Sequence, residues 1–290
     1  MVLTCSEMSV VTHVSVCTRF QWRDTMPPLR FVFLAKPRKD FGMKRLLGLL
    51  LLCSSVIAVA QDRILIYTRS YTADGKGYIH GNRASSVVAL EKIAAELKIP
   101  TDNTDDPIVF TPENLKKYTV VVFSNSNNEA FSTQAQRDAF KGWIEHGGGW
   151  VGIHSASGNE RNWDWFAQMV GGRFLMHPKK QQFTVKVADP KFPAMQGVPA
   201  EFTVNDECYF TKRFSDTIHP LLTVDTSKLD LTNFKLDRKD FPNPLPIAWW
   251  QEFDGGREIY IALGHDNSYY QDPVFTGILK RAILWAAKKN

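Results

Sequence analysis

Beyond residue 60 the chain holds one cysteine, Cys208; the other three, Cys5, Cys17 and Cys53, all precede it. A disulfide within residues 61–290 is thereby excluded. Net charge is also missing. Of 35 Lys+Arg and 30 Asp+Glu, the first 60 residues hold eight basic and three acidic, which leaves 27 of each in the rest. Nucleic-acid binding needs a basic footprint, so that class is set aside. The sequence has no apolar run of the ~20 residues that a bilayer span needs. It also lacks an internal repeat, a low-complexity tract, and any compact ligand motif such as HExxH or paired CxxC.

The longest apolar run, within Met43–Ala60, reads MKRLLGLLLLCSSVIAVA. Basic residues, a short apolar stretch and small residues at Ala58-Val59-Ala60 form the pattern of a secretory signal. Cleavage near Ala60 would make the protein periplasmic or secreted, with no membrane span in its mature form. A lipid anchor at Cys53 is disfavoured by the bulky Leu52 before it. Residues 1–42 show no periodicity and precede a good start methionine, so they read as an upstream extension, with 43–60 the signal and 61–290 the working domain.

From Arg63 the pattern alternates. Arg63–Tyr67, Thr119–Phe123 and Trp150–His154 are short β-branched or apolar runs of the buried-strand kind. Helical spacing appears over Ala84–Ile99 and Trp163–Val170. Thr111-Pro112-Glu113 opens a helix, and Thr133 with Gln136 fits a capping box for another that Gly147-Gly148-Gly149 stops. Buried strands interleaved with amphipathic helices imply a parallel sheet covered on both faces. Later, Phe183–Val187 and Leu221–Val224 read as strands, Pro246–Phe253 and Glu258–Leu263 as a hairpin through Asp254-Gly255-Gly256, and Pro273–Lys288 as a terminal helix.

In such a sheet, ligands bind beyond the carboxyl ends of the strands. The residues found there are Thr68 and Arg69, Ser124 and Asn125, His154 and Ser155, and Gly264-His265-Asp266. Gly152-Ile153-His154-Ser155-Ala156 has the form of an elbow that lifts one side chain above the sheet, with imidazole at its apex. That ring suits a general base, a hydrogen-bond donor or a metal ligand; the plainer alternative is a helix cap. Loop residues His80, His177 and Glu207 complete a set that suits a divalent transition metal such as zinc, with His80, His154, His177 and His265 as ligands. His146 and His219 read as structural, and Tyr209 as a sugar-facing aromatic.

Together these stretches resemble the trehalose-utilisation ThuA-like family, a branch of the class I glutamine-amidotransferase-like, flavodoxin-like folds. The carriers are Arg63-Ile-Leu-Ile-Tyr-Thr, Val109-Phe110-Thr111, Gly147–Ala156, Met169-Val-Gly-Gly, His177-Pro178, Asp206-Glu207, Pro246-Ile-Ala-Trp and Ala262-Leu-Gly-His265. The resemblance implies a three-layer α/β sandwich with a mostly parallel sheet, an added antiparallel hairpin, and a role in carbohydrate metabolism. Amidotransfer is not implied, because it needs a thiolate at the apex that His154 occupies. The expectation is an enzyme performing acid/base or metal-assisted hydrolysis or elimination on a sugar. His154, Glu207 and His265 would be catalytic, and Thr68, Arg69, Asn125, Ser155, His177, Tyr209 and Asp266 would bind substrate. The alternative is a non-catalytic periplasmic sugar-binding protein. The implied partner is a small-molecule carbohydrate, and self-association into a homo-oligomer stays open.

Overall fold

The apolar runs become the centre of a sheet in the computed structural model, which describes residues 62–289. The signal-like segment and the extension before it lie outside the described residues. The strands are β1 (Ile64–Tyr67), β2 (Ser70–Tyr71), β3 (Thr101–Thr104), β4 (Val120–Ser124), β5 (Asn127–Asn128), β6 (Gly149–Ile153) and β7 (Arg173–Met176), then β8 (Gln181–Val187), β9 (Glu201–Asp206), β10 (Phe210–Lys212), β11 (His219–Val224), β12 (Leu245–Gln251) and β13 (Arg257–Ile261). The α-helices are α1 (Arg83–Leu97), α2 (Pro112–Leu115), α3 (Gln134–Glu145), α4 (Asp164–Val170) and α5 (Pro273–Ala286).

Nine strands form one sheet in the order β3-β1-β4-β6-β13-β12-β11-β8-β9. The first five pair in parallel and the last four join antiparallel, so the antiparallel part is four strands wide and not a hairpin alone. Every residue of β1, β4 and β6 is buried, as strands covered on both faces must be. Consecutive side chains of β4 reveal the two layers. Phe123 stacks with Phe140 of α3 at 5.5 Å, whereas the Ser124 hydroxyl donates to Ser86 of α1 at 2.8 Å.

Local rules set the helix ends. Thr133 and Gln136 close the capping box of α3. Lys98 ends α1 at φ 58, its N–H donating to the last carbonyls. α2 is a single turn capped by Thr111. β3 carries the sequence Thr-Asp-Asn-Thr, which offers no apolar signal; it is a sheet edge held by backbone pairing to β1 and by Arg63 against Asp102 at 2.9 Å. Among the described residues no helix is long and apolar enough to cross a membrane.

Candidate metal and sugar site

At the carboxyl end of β6 the chain turns through His154 at φ 52, a left-handed conformation that a side chain rarely adopts, and enters a 3-10 turn over His154–Gly158. Gly152 belongs to this elbow because a Cβ there would lie 2.1 Å from the Trp150 ring. The apex is clamped from β13, where the Tyr260 hydroxyl donates to the His154 carbonyl at 2.6 Å and accepts from Ser157 at 2.7 Å. The imidazole is fully buried. Its Nδ1 lies 2.7 Å from the Ala262 carbonyl and donates to it, which turns Nε2 toward what lies above.

Three other segments meet that nitrogen. Glu207 follows β9, and its Oε2 lies 3.5 Å from His154 Nε2, 3.2 Å from His265 Nδ1 and 3.5 Å from His177 Nε2. The ring of His80 stands edge-on to His154 at 4.8 Å and to His265 at 5.6 Å. The Tyr209 hydroxyl donates to His154 Nε2 at 2.9 Å, and its ring stacks on His177. One donor atom each from His80, His154, Glu207 and His265 falls within 4.8 Å of the others. His177 stands outside that set, at its half-exposed margin, so Glu207 takes the place that the sequence reading gave to His177 as fourth ligand.

The electrostatics follow from this crowding. Burial would raise the Glu207 carboxyl, but the His154 and His265 rings set against it, with His177 beside them, hold it well below the usual range. The bond to Glu207 raises His265. His80 is pushed down to about 3, first by burial and then by the neighbouring imidazoles, which keeps its ring neutral and able to donate a lone pair. Its Nδ1 is buried with no hydrogen-bond partner.

The remaining sequence candidates divide. Arg69 turns away from the cluster, because its Nε–H donates to the Glu129 carbonyl at 2.9 Å and its other end reaches Ser132. Thr68 is held by its backbone, whose carbonyl accepts from Arg83. Asn125 is consumed internally, accepting from Asn82 at 3.0 Å and donating to Tyr270 at 2.6 Å. Asp266 pairs with Lys180 at the rim. The Ser155 hydroxyl is buried without a partner. His146 bonds the Gly142 carbonyl and His219 stacks on Trp250 at 4.2 Å, both packing roles. Cys208 is buried, which pushes its thiol up to about 12, and the elbow apex carries no thiol.

Two residues outside the sequence candidates organise the site. Asp206 is fully buried and accepts from Glu207 N–H at 2.7 Å and from Gly264 N–H at 2.9 Å, so one carboxylate fixes the loops carrying Glu207 and His265. Gly264 sits at φ 120, open to glycine alone among ordinary residues. Asn82 donates from Nδ2 to the carbonyl of His265 at 2.8 Å. The only signal for Asp206 was its place beside Glu207; Asn82 had none beyond preceding a helix.

A parallel α/β sheet with a buried histidine at the elbow, and no thiol there, defines a class I glutamine-amidotransferase-like fold without the amidotransferase nucleophile. The family model for ThuA, described as trehalose utilisation, matches residues 63–286, and the chain belongs to that family, which ties it to carbohydrate metabolism. Among solved structures it is similar to a ThuA-like protein from Bacteroides uniformis, with 27% identity and a TM-score of 0.61, covering 78% of this chain and 91% of that one. A ThuA-like protein from Parabacteroides merdae, 19% identical, gives a TM-score of 0.60 over 78% and 90% of the two chains. A cytoplasmic protein of Salmonella typhimurium, STM3548, 12% identical, gives 0.53 over 77% and 98%; these last two speak to the fold alone. No match was found among curated proteins.

Proposed function

We propose that the chain is an exported sugar-processing enzyme whose histidine–glutamate cluster holds a divalent transition metal and performs hydrolysis or elimination on a sugar or oxidised sugar. The observation that carries this reading is the convergence of four donor atoms, from segments more than fifty residues apart, within 4.8 Å. The donor set fits such an ion. Three imidazoles and a carboxylate suit zinc and its neighbours, His154 has its far nitrogen bonded to a carbonyl as metal-binding histidines do, and His80 Nδ1 is otherwise orphaned. A bound ion would supply Lewis acidity toward a sugar oxygen.

The chain's own groups divide the remaining work. His154 is buried with both nitrogens engaged, which suits a ligand better than a base touching substrate. His177, outside the donor set and partly exposed beside Glu207, is the imidazole left to move a proton on a bound sugar. Asp206 holds Glu207 in place. Export rests on the signal pattern of Met43–Ala60.

Elemental analysis of the purified mature protein and turnover of 3-keto-glycosides test this. Stoichiometric transition metal, and turnover lost in His154→Ala, are expected. Metal-free protein, or full turnover in His154→Ala, would remove the mechanism. Sugar binding without product over long incubation would make the chain an accessory binding protein.

A further inference from the structure

For an ion to enter the cluster, three of its donor atoms hardly have to move. His154 Nε2 lies 3.3 Å from His265 Nδ1 and 3.5 Å from Glu207 Oε2, and those two lie 3.2 Å from each other. Ligand atoms bonded tetrahedrally to zinc at 2.0–2.1 Å are themselves about 3.3–3.4 Å apart. Three corners of such an arrangement are in place before any ion arrives.

One contact stands against the ion. Because Nδ1 of His154 is bound to the Ala262 carbonyl, Nε2 is the nitrogen that the ring can offer, and it already accepts the Tyr209 hydroxyl at 2.9 Å. A ring nitrogen has one lone pair, which serves a proton donor or a cation but not both. Ion and phenol therefore compete for the same atom.

The phenol has nowhere to swing. Tyr209 is 3% exposed, and its ring centre lies 4.3 Å from Phe174, 5.4 Å from His177 and 4.5 Å from His154. Its chain neighbours Cys208 and Phe210 are buried too, and Phe210 pairs with Met176 across β10 and β7. A ring packed in this way has no face to give a sugar, contrary to the expectation from sequence. What stays free is rotation of the O–H bond about the C–O axis, so the hydroxyl remains beside Nε2 and only its proton turns away.

We propose that Tyr209 is the placeholder of the empty metal site. Its hydrogen bond holds the His154 imidazole in a ligating orientation and occupies Nε2 until an ion takes that lone pair. The released hydroxyl then stands as a donor for an oxygen atom beside the ion. Tyr209 is thereby a positioning residue that keeps the site assembled and lowers its affinity. This rests on the proposed metal site, and concerns what opposes the ion there rather than what holds it.

Zinc titration against a chelating dye, on the parent and on Tyr209→Phe, tests it. The variant should bind zinc about fivefold more tightly, since a hydrogen bond of ordinary strength no longer has to be broken. Zinc is a d10 ion and leaves the near-ultraviolet spectrum to the aromatic side chains. There the parent should give a tyrosine difference signal that saturates with the ion and that the variant lacks. Phe174→Leu, which loosens the same packing and keeps the hydroxyl, should bind zinc as the parent does. Equal affinity in Tyr209→Phe overturns the inference and leaves the metal site standing; weaker affinity makes the phenol a ligand and overturns it as well. So does an equal gain in Phe174→Leu, which traces the effect to packing, or a parent without the tyrosine signal. Should Tyr209→Phe fold poorly, the parent's signal decides. Zinc binding by no protein of the set sinks the proposed function, and this inference with it.

Discussion

Glu207 is largely and Glu258 fully removed from water, at opposite ends of the same part of the sheet, and their surroundings treat them in opposite ways. Glu207, near the carboxyl end of β13, is faced by His154, His177 and His265, and stays charged. Glu258, two residues into β13 at its amino end, has no cation beside it. One oxygen accepts from Phe253 N–H at 3.1 Å, the other has no partner, and burial pushes the carboxyl up to about 9. A carboxylate surrounded by bases is arranged for a ligand or a proton, whereas a neutral acid packed under a hairpin is tolerated for shape. Burial alone therefore does not mark a site; the identity of the facing groups does.

The largest break in this contrast is expected from Glu207→Gln, which keeps the volume and removes the charge. Affinity for a transition metal should fall by at least about 100-fold, measured by elemental analysis after dialysis against a weak chelator. Unchanged retention would detach Glu207 from the donor set.

At the other end, Glu258→Gln should stabilise. The folded carboxyl titrates higher than the unfolded one, so its favourable contribution is fully present below about pH 4.5 and is lost as pH rises through about 9. Relative to the parent, the glutamine variant should gain on the order of 2 kcal/mol at pH 8 and nothing at pH 4. Urea denaturation at both pH values checks the sign, and a variant less stable at pH 8 would contradict it.

The smallest effect sharpens the site side. Tyr260→Phe deletes the hydroxyl that clamps the His154 carbonyl, and should cost about 1 kcal/mol in urea denaturation with a several-fold loss of metal affinity. Loss of stability with unaltered metal affinity would limit Tyr260 to packing.

Much of the parallel half was legible, because strands buried on both faces write continuous apolar runs and their helices write caps: β1, β4, β6 and the box at Thr133 all stand where the pattern placed them. β3 was not, since a polar edge strand is made by its neighbour's backbone and leaves no apolar trace in its own residues. β9, Glu-Phe-Thr-Val-Asn-Asp, alternates weakly for a related reason, as it too lies at an edge. In the site, the elbow was visible as a local motif. His80 and His265 were expected in one ligand set, but the spacing of those loops could not show that Glu207 and not His177 completes it, because only the folded sheet brings them together. Arg69 misled because being at a strand end says which rim a side chain stands on, not which neighbour on that rim it chooses.

The absence of cross-links among the described residues has a counterpart in the way the four loops are gathered. Positions 80, 154, 207 and 265 divide the domain into long spans, and whatever draws their side chains together closes each span at once. Fastening long spans restricts the unfolded chain more than fastening short ones. In a domain whose described residues hold one buried thiol, the same four side chains that would do chemistry can also serve as its rivet.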